Sequence, residues 1–143
     1  MSKIREFYSF TEEISKAVAR LLLGQIFLIL GYRKVINFDQ TAGWMESMGI
    51  SSSFLPLVIV VEIFGSLGLI IGWKTRVCAI LLSGYCLLTA VLFHMNFSDQ
   101  MQQISFMKNI ALSGGLLYIF ANGSGKFSVD NRNTKVNRKN YKT

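Results

Sequence analysis

A chain of 143 residues is of single-domain length, yet 51% of it is hydrophobic and only 16% is charged, against about 25% charged in an average globular protein. Together with a mean hydropathy of +0.39, this sets aside an ordinary soluble domain. The net charge of +7 does not point to nucleic acid either, because no basic face carries interleaved aromatic residues.

The charge lies where membrane topology puts it. Six of the 15 basic residues (Lys126, Arg132, Lys135, Arg138, Lys139 and Lys142) fall in the C-terminal segment. Lys3, Arg5, Lys16 and Arg20 lie at the front, and Lys74 and Arg76 share one short loop. One proline and 12 glycines suit helices that approach closely through small residues. Cys78 and Cys86 are eight residues apart on one apolar segment. That is ~12 Å of helical rise, beyond the ~7 Å reach of a disulfide, so they are read as small buried residues. No cleavable signal peptide is expected, since Glu6, Glu12 and Glu13 precede the first apolar run.

In chain order, residues 1–16 combine charge with Phe7, Tyr8, Phe10 and Ile14. Two readings stay open, a short amphipathic helix on the membrane surface or a polar lead-in. A first span is expected over 17–36. Its uncharged run, Leu21 to Tyr32, is too short to cross a bilayer, so Arg20 and Arg33–Lys34 must reach its boundaries, for instance by snorkelling. Gly24 and Gly31 share a face with Arg20 and offer a close approach to a neighbouring helix.

Residues 37–53 form a long connection. Asp39 is expected to cap a short helix that Gly49 stops, with Ala42, Met45 and Met48 on one face. With Trp44, such a helix is either a lid over the bundle mouth or an interfacial anchor.

The second span is expected over 54–73, with Pro56 in its first turn, where a missing N–H does no harm. Glu62 is the single charge in this twenty-residue run. A carboxylate at that depth costs roughly 2.5–3.5 kcal/mol on insertion scales, and such residues turn toward a bundle interior. Val58, Glu62, Gly65, Leu69 and Gly72 share a face, and Gly68 and Gly72 make a G-x-x-x-G pair, so Glu62 is expected at a helix–helix contact.

The third span is expected over 77–95, with Ala79, Ser83, Cys86, Ala90 and His94 along one face. His94 is the only histidine, and with no cysteine or second histidine beside it no zinc-ligand spacing exists. Ser98 is expected to cap the next helix, and the fourth span over 104–121 carries Lys108 and Asn109 early and Gly114 and Gly115 as packing residues. Residues 131–143 are expected to form a basic disordered tail. The lysine and arginine bias of the short loops places both termini in the cytoplasm, and the fold class is all-α, a four-transmembrane-helix bundle.

That topology decides which charges meet. Glu62 lies ~12 Å in from the outer end of its span and Lys108 ~6 Å in from the same side. Lys108 is therefore the expected partner of Glu62, with Arg20 the second candidate; His94 and Asn109 lie toward the same outer side, as do Arg33 and Lys34. Three roles stay open for Glu62: an ion pair that fixes packing, the wall of a polar ligand pocket or proton relay, or a protonated hydrogen-bonded residue.

The ordered set Arg20-x3-Gly24-x-Ile26-Phe27-x3-Gly31-x2-Lys34, Glu62-x2-Gly65 with Leu69 and Gly72, Phe93-His94, Phe106-x-Lys108-Asn109 with Gly114-Gly115, and Gly123-x-Gly125-x2-Ser128-x-Asp130 resembles the DoxX family of small bacterial membrane proteins. The resemblance covers about residues 17–130, and the motifs are specific as an ordered set more than singly. It implies a four-helix bundle in the bacterial cytoplasmic membrane. It also implies a link to quinol-oxidase, thiosulfate:quinone or other redox complexes. The chain carries no haem-ligand histidine pair, no flavin or dinucleotide fingerprint and no usable dithiol. The expectation is a non-catalytic subunit or quinone-binding component that holds its ligand against Glu62, Lys108 and His94, with no intrinsic cofactor. Such a component would meet the lipid bilayer, redox-complex subunits or a second copy of itself. The alternatives are a quinone-linked oxidoreductase in its own right, or a small transporter or assembly factor.

Overall fold

The computed structural model describes residues 2–132. The tail expected over 131–143 lies outside the described residues except for Asn131 and Arg132, which end a helical turn over 129–132. Helix α1 runs Ser2–Ile36 and α2 Phe38–Ser47; a 3-10 turn over Ser52–Phe54 leads into α3 (Leu55–Ile71), followed by α4 (Thr75–Phe93) and α5 (Gln100–Asn122). Four helical stretches, Lys3–Ile36, Ser52–Ile71, Thr75–Phe93 and Gln100–Asn122, are long and apolar enough to cross a membrane.

The first of these corrects an expectation. Residues 2–16 form no separate surface helix; they are continuous with the first span in one helix of 35 residues. At 1.5 Å per residue that helix is about 50 Å long, well beyond a hydrocarbon core of ~30 Å. Nothing in the segment breaks it. Thr11 returns its hydroxyl to the carbonyls of Phe7 and Tyr8, and Lys16 pairs with Glu12 one turn back at 2.6 Å.

The other helix ends follow local chemistry, with two corrections. Helix α2 starts at Phe38, after Asn37, so Asp39 sits inside its first turn instead of capping it. Gly49, at φ +77, follows its C-cap Met48. Helix α5 is capped by Asp99, whose carboxylate accepts from the Met101 amide at 2.8 Å; Ser98 lies one residue too early. Helix α3 ends at Gly72, whose φ of +77 a side chain would resist.

Helices α1 and α3 form one close pair and α4 and α5 another, joined mainly through α3 and α4. Glycines set the α1–α3 approach: a Cβ on Gly24 would come within 2.5 Å of Ile70 Cγ1, and one on Gly31 within 2.8 Å of Ile63 Cγ1. Gly65 admits Leu82, Gly68 admits the Cys78 sulfur, and Gly115 meets Leu23. Gly114 departs from the expected packing role, since a Cβ there would meet nothing within 4 Å. Between the helices, Phe27, Leu69, Ala79, Leu82, Cys86 and Leu116 make the apolar core. Both cysteines are free and buried. Ser83 and Ser113 bridge α4 to α5 through their hydroxyls at 2.7 Å.

Candidate functional site

Glu62 lies two turns into α3 and is fully buried. Lys34 Nζ, from the last turn of α1, donates to both carboxylate oxygens at 2.8 Å, and the Tyr85 hydroxyl of α4 donates to Oε1 at 2.7 Å. Three spans thus converge on one carboxylate. A buried carboxylate needs such compensation, because an uncompensated charge in a medium of low polarity costs several kcal/mol.

This corrects the pairing expected from depth: the ion pair is made by Lys34, and Lys108 is not in it. Gly31 supplies the reason. A Cβ there would lie 3.2 Å from the Glu62 Cβ, so the α1 backbone passes directly against α3 at this level. Lys34, one turn further along the same face, is then aimed at the carboxylate instead of at the headgroups. Tyr85 was not singled out from sequence. A tyrosine in the middle of a span is the signal that points to it, because its hydroxyl needs a buried partner.

Beside this triad lies a cavity of about 330 Å³. Glu62, Lys34 and Tyr85 line it together with Lys108, Asn109 and His94, so four of the five expected polar residues, all but Arg20, share one space. Phe27, Trp44 and Phe93 supply aromatic wall. The Phe27 ring meets Tyr85 edge-on, with centroids 6.5 Å apart, and Trp44 stacks on Phe93 at 4.8 Å and 25°. Through Thr41, Trp44 and the buried Met45, helix α2 lies directly against the cavity. His94 Nδ1 is 2.6 Å from Gln102 Oε1, a bond that orients the ring. Lys108 makes no salt bridge among the described residues. Among those residues no three His, Cys, Asp or Glu side chains gather as a metal site.

Arg20 is elsewhere. It is 2% exposed at the opposite end of the bundle, where Nη2 donates to the Phe127 carbonyl and its guanidinium lies over Gly72. Its Nε and Nη1 have no hydrogen-bond partner among the described residues, and Asp130 stands close enough to act on its charge. The segment after α5 turns back to make this contact: the Lys126 amide donates to Glu13 Oε2, and the Asp130 amide donates to the Gly72 carbonyl at 2.9 Å. The Asp130 carboxylate then accepts from the Lys74 and Thr75 amides at 2.8 and 3.0 Å and from the Thr75 hydroxyl at 2.8 Å. Helix α4 has no cap of its own in sequence, and Asp130 supplies it from the far end of the chain. Arg20 therefore belongs to a clasp that ties the C-terminal turn to three spans, and it takes no part in the Glu62 cavity.

The chain's relatives agree with this architecture. The DoxX family matches residues 15–95. "Inner membrane protein YqjF" of Escherichia coli (strain K12) is 40% identical over 119 residues, 83% of this chain and 92% of that protein. "Inner membrane protein YphA" of the same organism is 30% identical over 141 residues, 92% of this chain and all of that protein. No solved structure matches the chain. Four membrane-length helices with these relatives show that the chain belongs to the DoxX family, as a multi-pass protein of the inner membrane.

Proposed function

We propose that the Glu62 cavity binds a small molecule with a flat apolar body and a hydrogen-bonding carbonyl head, of the quinone class. On this reading the protein serves a membrane redox system as a non-catalytic binding component. One observation carries the proposal: Glu62, Lys34, Tyr85 and Lys108, which has no ion pair among the described residues, all line one cavity that also has aromatic walls. Ligand sites are mostly apolar clefts with a few convergent polar groups, and about 330 Å³ lies at the small end of their usual range of ~300–1,000 Å³. That space suits a single ring, with any tail leaving between helices into lipid. Lys108 is the natural donor to a carbonyl or a developing oxyanion, since the Glu62 charge is already matched by Lys34. We place both termini on the cytoplasmic side, so that the cavity end faces the opposite leaflet.

Trp73 lies at the far end of α3 from the cavity, so Trp73→Phe leaves Trp44 as the sole tryptophan reporter. Titrating that variant in mild detergent with a short-chain ubiquinone analogue should quench Trp44 fluorescence in a saturable way. Lys108→Ala should weaken the binding about tenfold, the worth of one charge-assisted hydrogen bond. Quenching that is linear, or identical with and without Lys108, sinks the proposal.

A further inference from the structure

At the Arg20 end of the bundle, an open cleft of about 650 Å³ is bounded by the turn before α4 and the segment after α5. We propose that this cleft binds the phosphate of an anionic phospholipid headgroup through Lys74, Arg76 and Lys126. The carboxylates in the cleft are already engaged. Asp130 accepts from two α4 amides and the Thr75 hydroxyl, and Glu13 accepts from the Lys126 amide and from Lys16. The three cations lining the cleft are exposed and make no salt bridge among the described residues. The cleft therefore offers three exposed cations whose side chains are not tied into ion pairs among the described residues, against two carboxylates whose oxygens are already bound, a net positive lining.

These cations stand on braced backbone, unlike lysines on a loose loop. Lys74 is held at φ 45, a left-handed conformation, while its amide is bound by Asp130. Arg76 donates to the Ala121 carbonyl at 3.4 Å and passes beside Gly123. Lys126 is tied through its amide to Glu13 and reaches Ser9 Oγ at 3.4 Å. Trp73, half exposed at the end of α3 with Lys74 Nζ 5.3 Å from its ring centre, marks the membrane boundary at this level. A cationic cleft at that height meets headgroup phosphates before any soluble anion, and basic residues near an anionic leaflet each add to the attraction.

The test uses the full chain in mixed phosphatidylglycerol–phosphatidylcholine micelles, with bound lipid counted by native mass spectrometry. Phosphatidylglycerol should be retained at least tenfold over phosphatidylcholine. The preference should vanish in Lys74→Gln/Arg76→Gln/Lys126→Gln and persist in Lys135→Gln/Arg138→Gln/Lys139→Gln/Lys142→Gln, which removes four of the five other C-terminal cations and leaves Arg132. Substituting exposed side chains should leave the melting temperature close to that of the parent, which checks that the first variant folds. Equal retention of the two lipids, or loss of preference only in the second variant, overturns the proposal. A melting temperature raised by inorganic phosphate in the parent but not in the first variant, without lipid preference, also overturns it and assigns the cleft to a soluble phosphate.

Discussion

Lys34 Nζ sits 2.8 Å from both carboxylate oxygens of Glu62, twenty-eight positions away in sequence and on a different span. The pair locks the rotation of α1 against α3 at the level where the cavity begins. Removing one partner of a buried pair costs about 3–5 kcal/mol, because the other is left unmatched. Lys34 keeps some contact with the surroundings, so Lys34→Met is expected at the low end, about 3 kcal/mol. The double variant Lys34→Met/Glu62→Gln should recover part of that loss, while Lys108→Ala should cost under about 0.5 kcal/mol, as for a residue without a buried partner. Thermal unfolding of the four proteins in one detergent measures this. Equal losses for Lys34→Met and Lys108→Ala would remove the pair from its place in the fold.

The approach that lets Lys34 reach Glu62 depends on Gly31. A methyl group there would sit 2.8 Å from Ile63 Cγ1 and 3.2 Å from the Glu62 Cβ, so α1 must move off α3. Overpacking of this kind costs about 1–3 kcal/mol. Gly31→Ala should therefore lower the unfolding temperature and weaken quinone-analogue binding together, because the Lys34 stem moves with its helix. Gly114→Ala meets open space and should do neither, and it should gain slightly from alanine's better helix propensity. If the two substitutions behave alike, glycine contact does not govern the α1–α3 distance.

These two residues also show how far the sequence carries. The spans are legible because apolar runs of membrane length are a local property, and Glu62 stands out as a lone charge inside one. Lys34 reads as a boundary residue because Arg33-Lys34 sits at the end of an apolar run, where snorkelling is the common outcome. Whether it turns outward or inward depends on the rotation of α1, which Gly24 and Gly31 set only through contacts with α3. Arg20 is harder still. Its acceptor is the carbonyl of Phe127, 107 positions away, and a backbone oxygen leaves no mark in sequence. Gly114 and Gly115 look equivalent on paper, and the direction each faces separates them. The continuous α1 was the most readable of the missed features, since no glycine or proline falls between Ser2 and Gly24.

Orientation has a direct assay, because the native cysteines are both buried and give a low labelling background. Ser53 is exposed in the turn before α3, at the cavity end, and Ser124 lies in the segment at the opposite end. With the termini cytoplasmic, Ser53→Cys should react with a membrane-impermeant maleimide in intact cells, and Ser124→Cys only after the inner membrane is opened. The reverse pattern would invert the bundle and put the cavity end at the cytoplasmic face.

The clasp at the other end makes its own prediction. Asp130 gives helix α4 the cap that Lys74, in a left-handed conformation, does not supply. It also brings a negative charge toward Arg20, whose Nε and Nη1 lack hydrogen-bond partners among the described residues. Asp130→Ala removes the charge and all the carboxylate's bonds, and about 2 kcal/mol of destabilisation is expected, at the upper end for a lost cap. Asp130→Asn keeps an acceptor for one amide and should fall between the alanine variant and the parent. The damage should be local as well as global: hydrogen exchange should speed up most at the first turn of α4 and over the segment after α5. The Lys34–Glu62 end, two turns or more away along every span, should keep its protection. Uniform loss of protection along α4 would mean that Asp130 holds the whole bundle and does not act as a cap.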